Sequence, residues 1–136
     1  MSRSNLWTRH VRPDSQIVFV LGVAKGPVGD EKPLDLALDT GTPVTIVSSK
    51  WARELGLTEE RSIGRSRLVG PTGPHLGYRV IAERFRVMGR TLLEVELHCH
   101  DLEPQLKVRG VLGLDILRRG ELRLNLPEGV VQFVWA

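Results

Sequence analysis

One short stretch, Leu36-Ala37-Leu38-Asp39-Thr40-Gly41-Thr42, constrains this chain more than any other. An apolar run that ends on Asp-Thr-Gly reads as a strand delivering a carboxylate into a tight loop, because Asp and Gly favour turns. The context occurs once in 136 residues. A lone carboxylate at a strand end is a poor acid–base catalyst. Two that face each other across one water divide the roles of acid and base between them. A chain with one copy obtains the second only by pairing with another copy of itself. The tripeptide therefore implies a dimer as well as a chemistry.

The flanking sequence is mostly β. Gln16 to Val23 and Leu34 to Leu38 read as strands rich in β-branched and apolar residues, separated by the turn segment Lys25 to Pro33. Thr45 to Val47 reads as a short third strand. One helix follows, with Ser48 or Ser49 as N-cap, helix formers from Lys50 to Leu55, and Gly56 as C-terminal cap. Trp51, Leu55 and Leu57 are expected on its core side. Ser66 to Val69 and Leu76 to Val87 flank Gly70-Pro-Thr-Gly-Pro-His75, a hairpin with a glycine- and proline-rich tip. Met88-Gly-Arg90 turns into Thr91 to Cys99, where Leu93, Val95 and Leu97 alternate with Glu94, Glu96 and His98 as in a half-buried strand. Val111 to Leu114 reads as a strand, Asp115 to Arg119 as a helical turn, and Glu121 to Trp135 as a closing hairpin. With 14 Gly and 8 Pro, the sum is one mostly-β domain with one or two short helices. Residues 1–14 read as a flexible basic leader, and 15–136 as the domain.

The charge balance excludes little. The formal charge is +3, with no Lys/Arg run of the kind that marks a nucleic-acid arm. Arg65, Arg67, Arg79, Arg84 and Arg86 gather around the central hairpin and weakly favour an acidic substrate or partner. Cys99 is the only cysteine, so an intrachain disulfide is impossible and a reducing compartment fits. The longest apolar run, Ile17 to Ala24, is too short to span a bilayer, and Met1 to Pro13 holds no signal-peptide core. The expected location is the cytoplasm, either as a separate protein or as a domain of a longer, anchored one.

Three motifs in order resemble the retropepsin-like aspartic proteases, in particular their small single-domain bacterial branch. They are Leu36 to Gly41, the glycine-tipped hairpin Gly70 to His75, and Val111-Leu-Gly-Leu-Asp-Ile116. The resemblance covers roughly residues 15–135. It implies an acid-protease half-barrel that acts as a homodimer on an extended peptide or protein substrate, with no metal and no cofactor. Asp39 from each subunit would form the catalytic dyad. Thr40 would brace the two loops across the dimer, and Gly41 would leave the backbone open to substrate. Thr42, Gly70, Thr72, Gly73 and Val111 would contact substrate from floor and flap, with Leu36, Val69 and Leu76 as further pocket walls. Gly113 and Asp115 would support the catalytic loop from beneath.

The chain departs from retroviral members at three places. Pro43 and Leu114 stand where those enzymes usually carry an acidic residue and the Arg that pairs with it. Thr42 replaces their usual Ala. A hydroxyl there is expected to hydrogen-bond the ionised carboxylate and make the pH optimum more acidic than Ala would.

Other readings of the same residues exist. A degenerate member would be a non-catalytic dimeric peptide-binding module. The pattern apolar-Asp-x-Gly-Thr also resembles the phosphate loop of actin and sugar-kinase ATPases, but that fold needs two nucleotide-clasping domains and this chain has no room for them. Asp-Thr-Gly read alone is an ordinary strand-to-turn signal. His98 and His100 share a strand face and form either a metal pair with Asp101 or a solvated strand end. His75 is an exposed loop histidine or a group that tunes substrate charge. Trp7 and Trp135 are candidate dimer-interface residues.

Overall fold

The computed structural model describes residues 5–70, 73–103 and 108–136. Among these residues ten strands carry the fold: β1 (Leu6–His10), β2 (Phe19–Lys25), β3 (Lys32–Leu38), β4 (Ile46–Ser48), β5 (Gly64–Gly70), β6 (Gly73–Val87), β7 (Arg90–His100), β8 (Gly110–Leu112), β9 (Gly120–Asn125) and β10 (Val130–Trp135). Two short helices, α1 (Ser49–Glu54) and α2 (Leu114–Leu117), follow β4 and β8. The mostly-β architecture with two short helices is the one expected.

Among the described residues the strands form two sheets. The larger runs β2-β3-β8-β4-β7-β6-β5, and β2 also pairs with β6 through Gly22 to Lys25, which bends it into a barrel. β6 achieves this by its length: its first half holds β5 and its second half holds β2. The barrel interior holds fully buried Val20, Leu34, Leu36, Val47, Val80, Phe85, Leu97 and Leu112. Leu36 thus belongs to the core and is no pocket wall. It faces inward because alternate residues of a strand share a face.

The smaller sheet, β1-β10-β9, corrects two expectations. Leu6–His10 is no loose leader: it pairs with Val130 to Val134 along its whole length. Five residues of mixed polarity carry little strand signal of their own, and the pairing comes from the strongly apolar β10. In turn, β10 is enclosed between β1 and β9, so Trp135 is buried within its own chain. Its indole N–H donates to the Met88 carbonyl at 2.8 Å, Phe133 meets its ring edge-on at 4.8 Å, and the Arg90 guanidinium lies 4.8 Å from the ring centre.

The expected alternation on β7 also shifts. Leu93 is exposed and Leu92 buried, because Glu94 adopts a left-handed backbone (φ 52°) that reverses the phase between Leu92 and Val95. Ala82 and Phe85 on β6 make the matching shift opposite. The helix α1 is capped by Ser48, whose hydroxyl accepts from the Trp51 N–H. It ends in a Schellman motif: Leu57 N donates to Ala52 O, Gly56 N to Arg53 O, and Gly56 takes φ 78°. Trp51, Leu55 and Leu57 are buried as expected. Among the described residues no helix is long and apolar enough to cross a membrane.

Candidate active site

Asp39 leaves the end of β3 and is held from behind by β8, its own N–H donating to the Leu112 carbonyl at 3.1 Å. The parallel pairing of β3 with β8 over Leu36 to Leu38 sets that register. The loop then turns tightly. The Gly41 N–H donates to Asp39 Oδ1 at 2.7 Å, fixing the plane of the carboxylate. A Cβ on residue 41 would stand 3.0 Å from the same oxygen, so a side chain here would press on the carboxylate. Asp39, Thr40 and Gly41 are all exposed in the single chain. The Thr40 side chain has no partner among the described residues.

The rest of the loop is stitched to the β8–α2 corner. Leu114 N donates to Thr42 O at 2.9 Å and Asp115 N to Pro43 O at 3.1 Å. These backbone bonds stand at Pro43 and Leu114, the two positions that lack the retroviral ion pair. Asp115 Oδ2 accepts from Thr45 N at 3.0 Å, and Asp115 Oδ1 accepts from the Thr45 hydroxyl at 2.7 Å. The Thr45 hydroxyl in turn accepts from Gly113 N at 3.2 Å. Thr45 is wholly buried, so every polar atom it brings must be paired, and each is. A Cβ at Gly113 would run into the Val44 carbonyl, so only glycine lets the two loops approach this closely.

The Thr42 hydroxyl donates to the Val44 carbonyl at 3.2 Å. This overturns the expectation that it bonds the Asp39 carboxylate. The short loop turns the side chain back along its own backbone, a common habit of threonine in turns.

Above the loop stands the hairpin of β5 and β6, paired up to Gly70 and Gly73. Gly73 has φ 111°, a conformation open to glycine. Thr72, an expected contact, lies outside the described residues. A cleft of about 570 Å³ runs between loop and hairpin. Asp39, Gly41 and Thr42 line its floor, Ile46 one wall, and Val69, Gly70 and His75 the hairpin side. Val69 is 75% exposed. Leu76 is equally open but lines the adjoining cleft, and Val111 is half-buried in β8 without lining this one.

The pair His98 and His100 is no solvated strand end. Both rings are buried and both reach the Ser66 hydroxyl, His98 Nδ1 at 2.6 Å and His100 Nε2 at 2.8 Å. Their two-residue spacing was legible in the sequence. Ser66 was not, because only the strand register brings it opposite.

Residues 24–116, more than half of the chain, match the family described as aspartyl protease. No curated protein matches the sequence. Among solved structures, a retropepsin-like aspartic protease from Rickettsia conorii superposes with TM-score 0.69 at 12% identity, covering 93% of this chain and 97% of that one. The EIAV protease complexed with the inhibitor HBY-793 gives 0.58 at 16% identity, over 79% and 91% of the two chains. The retroviral protease-like domain of Ddi1 from Leishmania major gives 0.56 at 17%, over 83% and 84%. At these identities the likeness is one of fold, and the fold is retropepsin-like.

Proposed function

The chain belongs to the aspartyl protease family, and from that premise we propose that it is a homodimeric endopeptidase whose two Asp39 carboxylates activate one water between them. The observation that carries this reading is the setting of Asp39. It is exposed, fixed in plane by Gly41, braced from behind by the Thr45–Asp115 network, and open to a cleft beneath a hairpin.

Two carboxylates that close cannot both ionise, so the pair shares one proton. The ionised member takes a proton from the water as its oxygen attacks the peptide carbonyl carbon. The protonated member gives its proton to the carbonyl oxygen. Collapse of the tetrahedral species breaks the C–N bond as the first carboxyl passes the proton it gained to the amine and the second regains one from a hydroxyl of that species, and no covalent enzyme intermediate forms. Thr40, exposed and without a side-chain partner among the described residues, would brace the neighbouring loop of the second subunit. An extended peptide between floor and hairpin would add strand-like hydrogen bonds to Gly70 and Gly73, with alternate side chains entering the cleft. Exposed Val69 offers one apolar wall.

The test is cleavage of a mixed peptide library by the purified chain across about pH 3–8, beside Asp39→Asn, the range that brackets carboxylate titration. Cleavage that Asp39→Asn abolishes, and whose rate rises more steeply than linearly with enzyme concentration, supports the dimeric dyad. A folded dimer that binds peptides and cleaves none would instead be a peptide-binding module.

A further inference from the structure

Ser66 lies on β5 and His98 and His100 lie on β7, with β6 between them. Direct contact across a whole strand requires a gap in the middle one. Gly77 provides it. Ser66 pairs with Gly77, and the neighbouring pair Tyr78–Cys99 places Gly77 beside His100. A Cβ on residue 77 would sit 2.8 Å from His100 Nδ1. The ring of His100 thus crosses the bare backbone of β6 to reach a hydroxyl near the root of the hairpin.

Donor counting fixes the direction of this chain of bonds. Glu96 Oε2, as a carboxylate, only accepts, so His98 Nε2, 3.3 Å away, carries the proton. Neutral His98 then has a bare Nδ1, which accepts from the Ser66 hydroxyl. The Ser66 oxygen accepts from His100 Nε2–H. His100 Nδ1 is left bare, buried and without a partner among the described residues. A further proton has no good seat. Placed on His100 Nδ1, it makes a buried N–H with no acceptor. Placed on His98 Nδ1, it removes the acceptor of the Ser66 hydroxyl: either Ser66 Oγ accepts from both rings and its own proton is stranded, or the hydroxyl turns toward His100 Nε2 and that ring's proton moves to Nδ1.

The surroundings do not remedy this. On its own strand Glu96 is already engaged with Arg79 at 3.2 Å, and next to the strand Asp101 accepts from the Ser49 hydroxyl. Asp101 does favour a charged His100, but burial and the facing rings of His98 and His75 oppose it more strongly. Arg65 from β5 and Arg53 from α1 line the cleft on one side of His100, together with Glu59. Arg67 from β5, Glu103 and Asp39 line the cleft on the other.

We propose that Ser66, His98 and His100 are positioning residues: neutral, they tie the root of the β5–β6 hairpin to β7, and on taking up a proton they release it above Asp39. The idea rests on reading that hairpin as the flap. Ser66 stands only four residues before Gly70, so loosening there is carried directly to the tip.

The experiment is amide hydrogen exchange on the Asp39→Asn chain, which separates hairpin motion from turnover. Protection of residues 64–79 is compared at about pH 7.5 and about pH 5, on either side of the ordinary imidazole value, after correction for chemical exchange. Protection should fall by about tenfold or more at the lower pH. In His98→Gln/His100→Gln the hairpin should show no such pH dependence. Equal protection at both pH values, or an unchanged response in the double variant, overturns the proposal. If that variant does not fold, the unaltered rings serve: NMR titration of His100 and of the hairpin amides should share one midpoint, and separate midpoints overturn it. Loss of the protease reading would leave these outcomes untouched, since none depends on cleavage.

Discussion

Asp115 receives both the backbone N–H and the hydroxyl of Thr45, at 3.0 and 2.7 Å, and so joins the loop after Asp39 to the corner between β8 and α2 across 70 residues of sequence. The same carboxylate also accepts from Ile116 N at 2.9 Å. Asp115→Ala strips both Thr45 donors of this acceptor, while Ile116 N keeps the Gly113 carbonyl at 3.3 Å; wholly buried Thr45 has no water to turn to. An unpaired buried donor costs about 1–3 kcal/mol. We expect Asp115→Ala to lower the unfolding free energy, measured in urea, by at least that amount. Cleavage should fall as well, because the loop that aims Asp39 loses its support. A variant with unchanged stability would remove Asp115 from the bracing role.

Gly41→Ala is expected to separate activity from stability. The new methyl would press against Asp39 Oδ1 from 3.0 Å, at an exposed loop where little else is disturbed. The carboxylate would have to give by a few tenths of an ångström, a fraction of the roughly 1 Å misplacement that costs on the order of 10²-fold in rate. The measurement is kcat beside the thermal midpoint: kcat should drop by up to about tenfold while the midpoint barely moves.

Much of this was legible in the sequence, and the reason is local. Leu36 to Gly41 announces itself because strand, carboxylate and turn glycine are contiguous. The α1 helix announces itself through Ser48 and Gly56, whose cap roles are set within a few residues. What stayed hidden depends on register. Ser66 and His100 are 34 residues apart, and nothing short of the β5–β6–β7 pairing places them together. Thr45 looked like one residue of a short strand, although a threonine in an apolar run that must be buried already demands a partner. The phase reversal at Glu94 was invisible for a different reason: a left-handed glutamate is not a preference of that residue, so it is imposed by the surrounding barrel.

Trp135 tests the corrected view of the C-terminal strand. An interface residue would leave the isolated fold indifferent to its loss. A residue that packs on Phe133, lies beneath Arg90 and donates to Met88 would not. Trp135→Ala should cost about 3–5 kcal/mol of unfolding free energy, the usual range for a large buried aromatic. Urea unfolding at several protein concentrations checks it. A loss confined to the concentration-dependent part would restore the interface role.

Stability should fall on the acid side of neutrality, and His100 is one reason. Burial, helped by His98 and His75 and opposed by Asp101, holds its pKa below the ordinary imidazole value. The unfolded ring titrates at about 6.5. Above that, both states are neutral and the contribution is complete. Below it, the unfolded chain binds a proton that the folded chain resists, so stability declines until the lower folded value is passed. The urea midpoint should therefore drop between about pH 7 and pH 5, and His100→Gln should flatten that part of the curve.

Thr42→Ala completes the set, because sequence and structure differ on its outcome. A hydroxyl bonded to the dyad would stabilise the ionised carboxylate, and its loss would move the acid limb of the pH–rate profile upward. The hydroxyl is instead engaged with the Val44 carbonyl at 3.2 Å, two residues along the same loop. Removing it should leave the acid limb in place. It should cost about 1 kcal/mol of stability, the ordinary worth of one such bond. The profile of kcat/KM against pH for the two proteins, read for the position of that limb, decides between the two. A shifted limb with unchanged stability would mean that the threonine turns toward Asp39 once the second subunit and substrate are present.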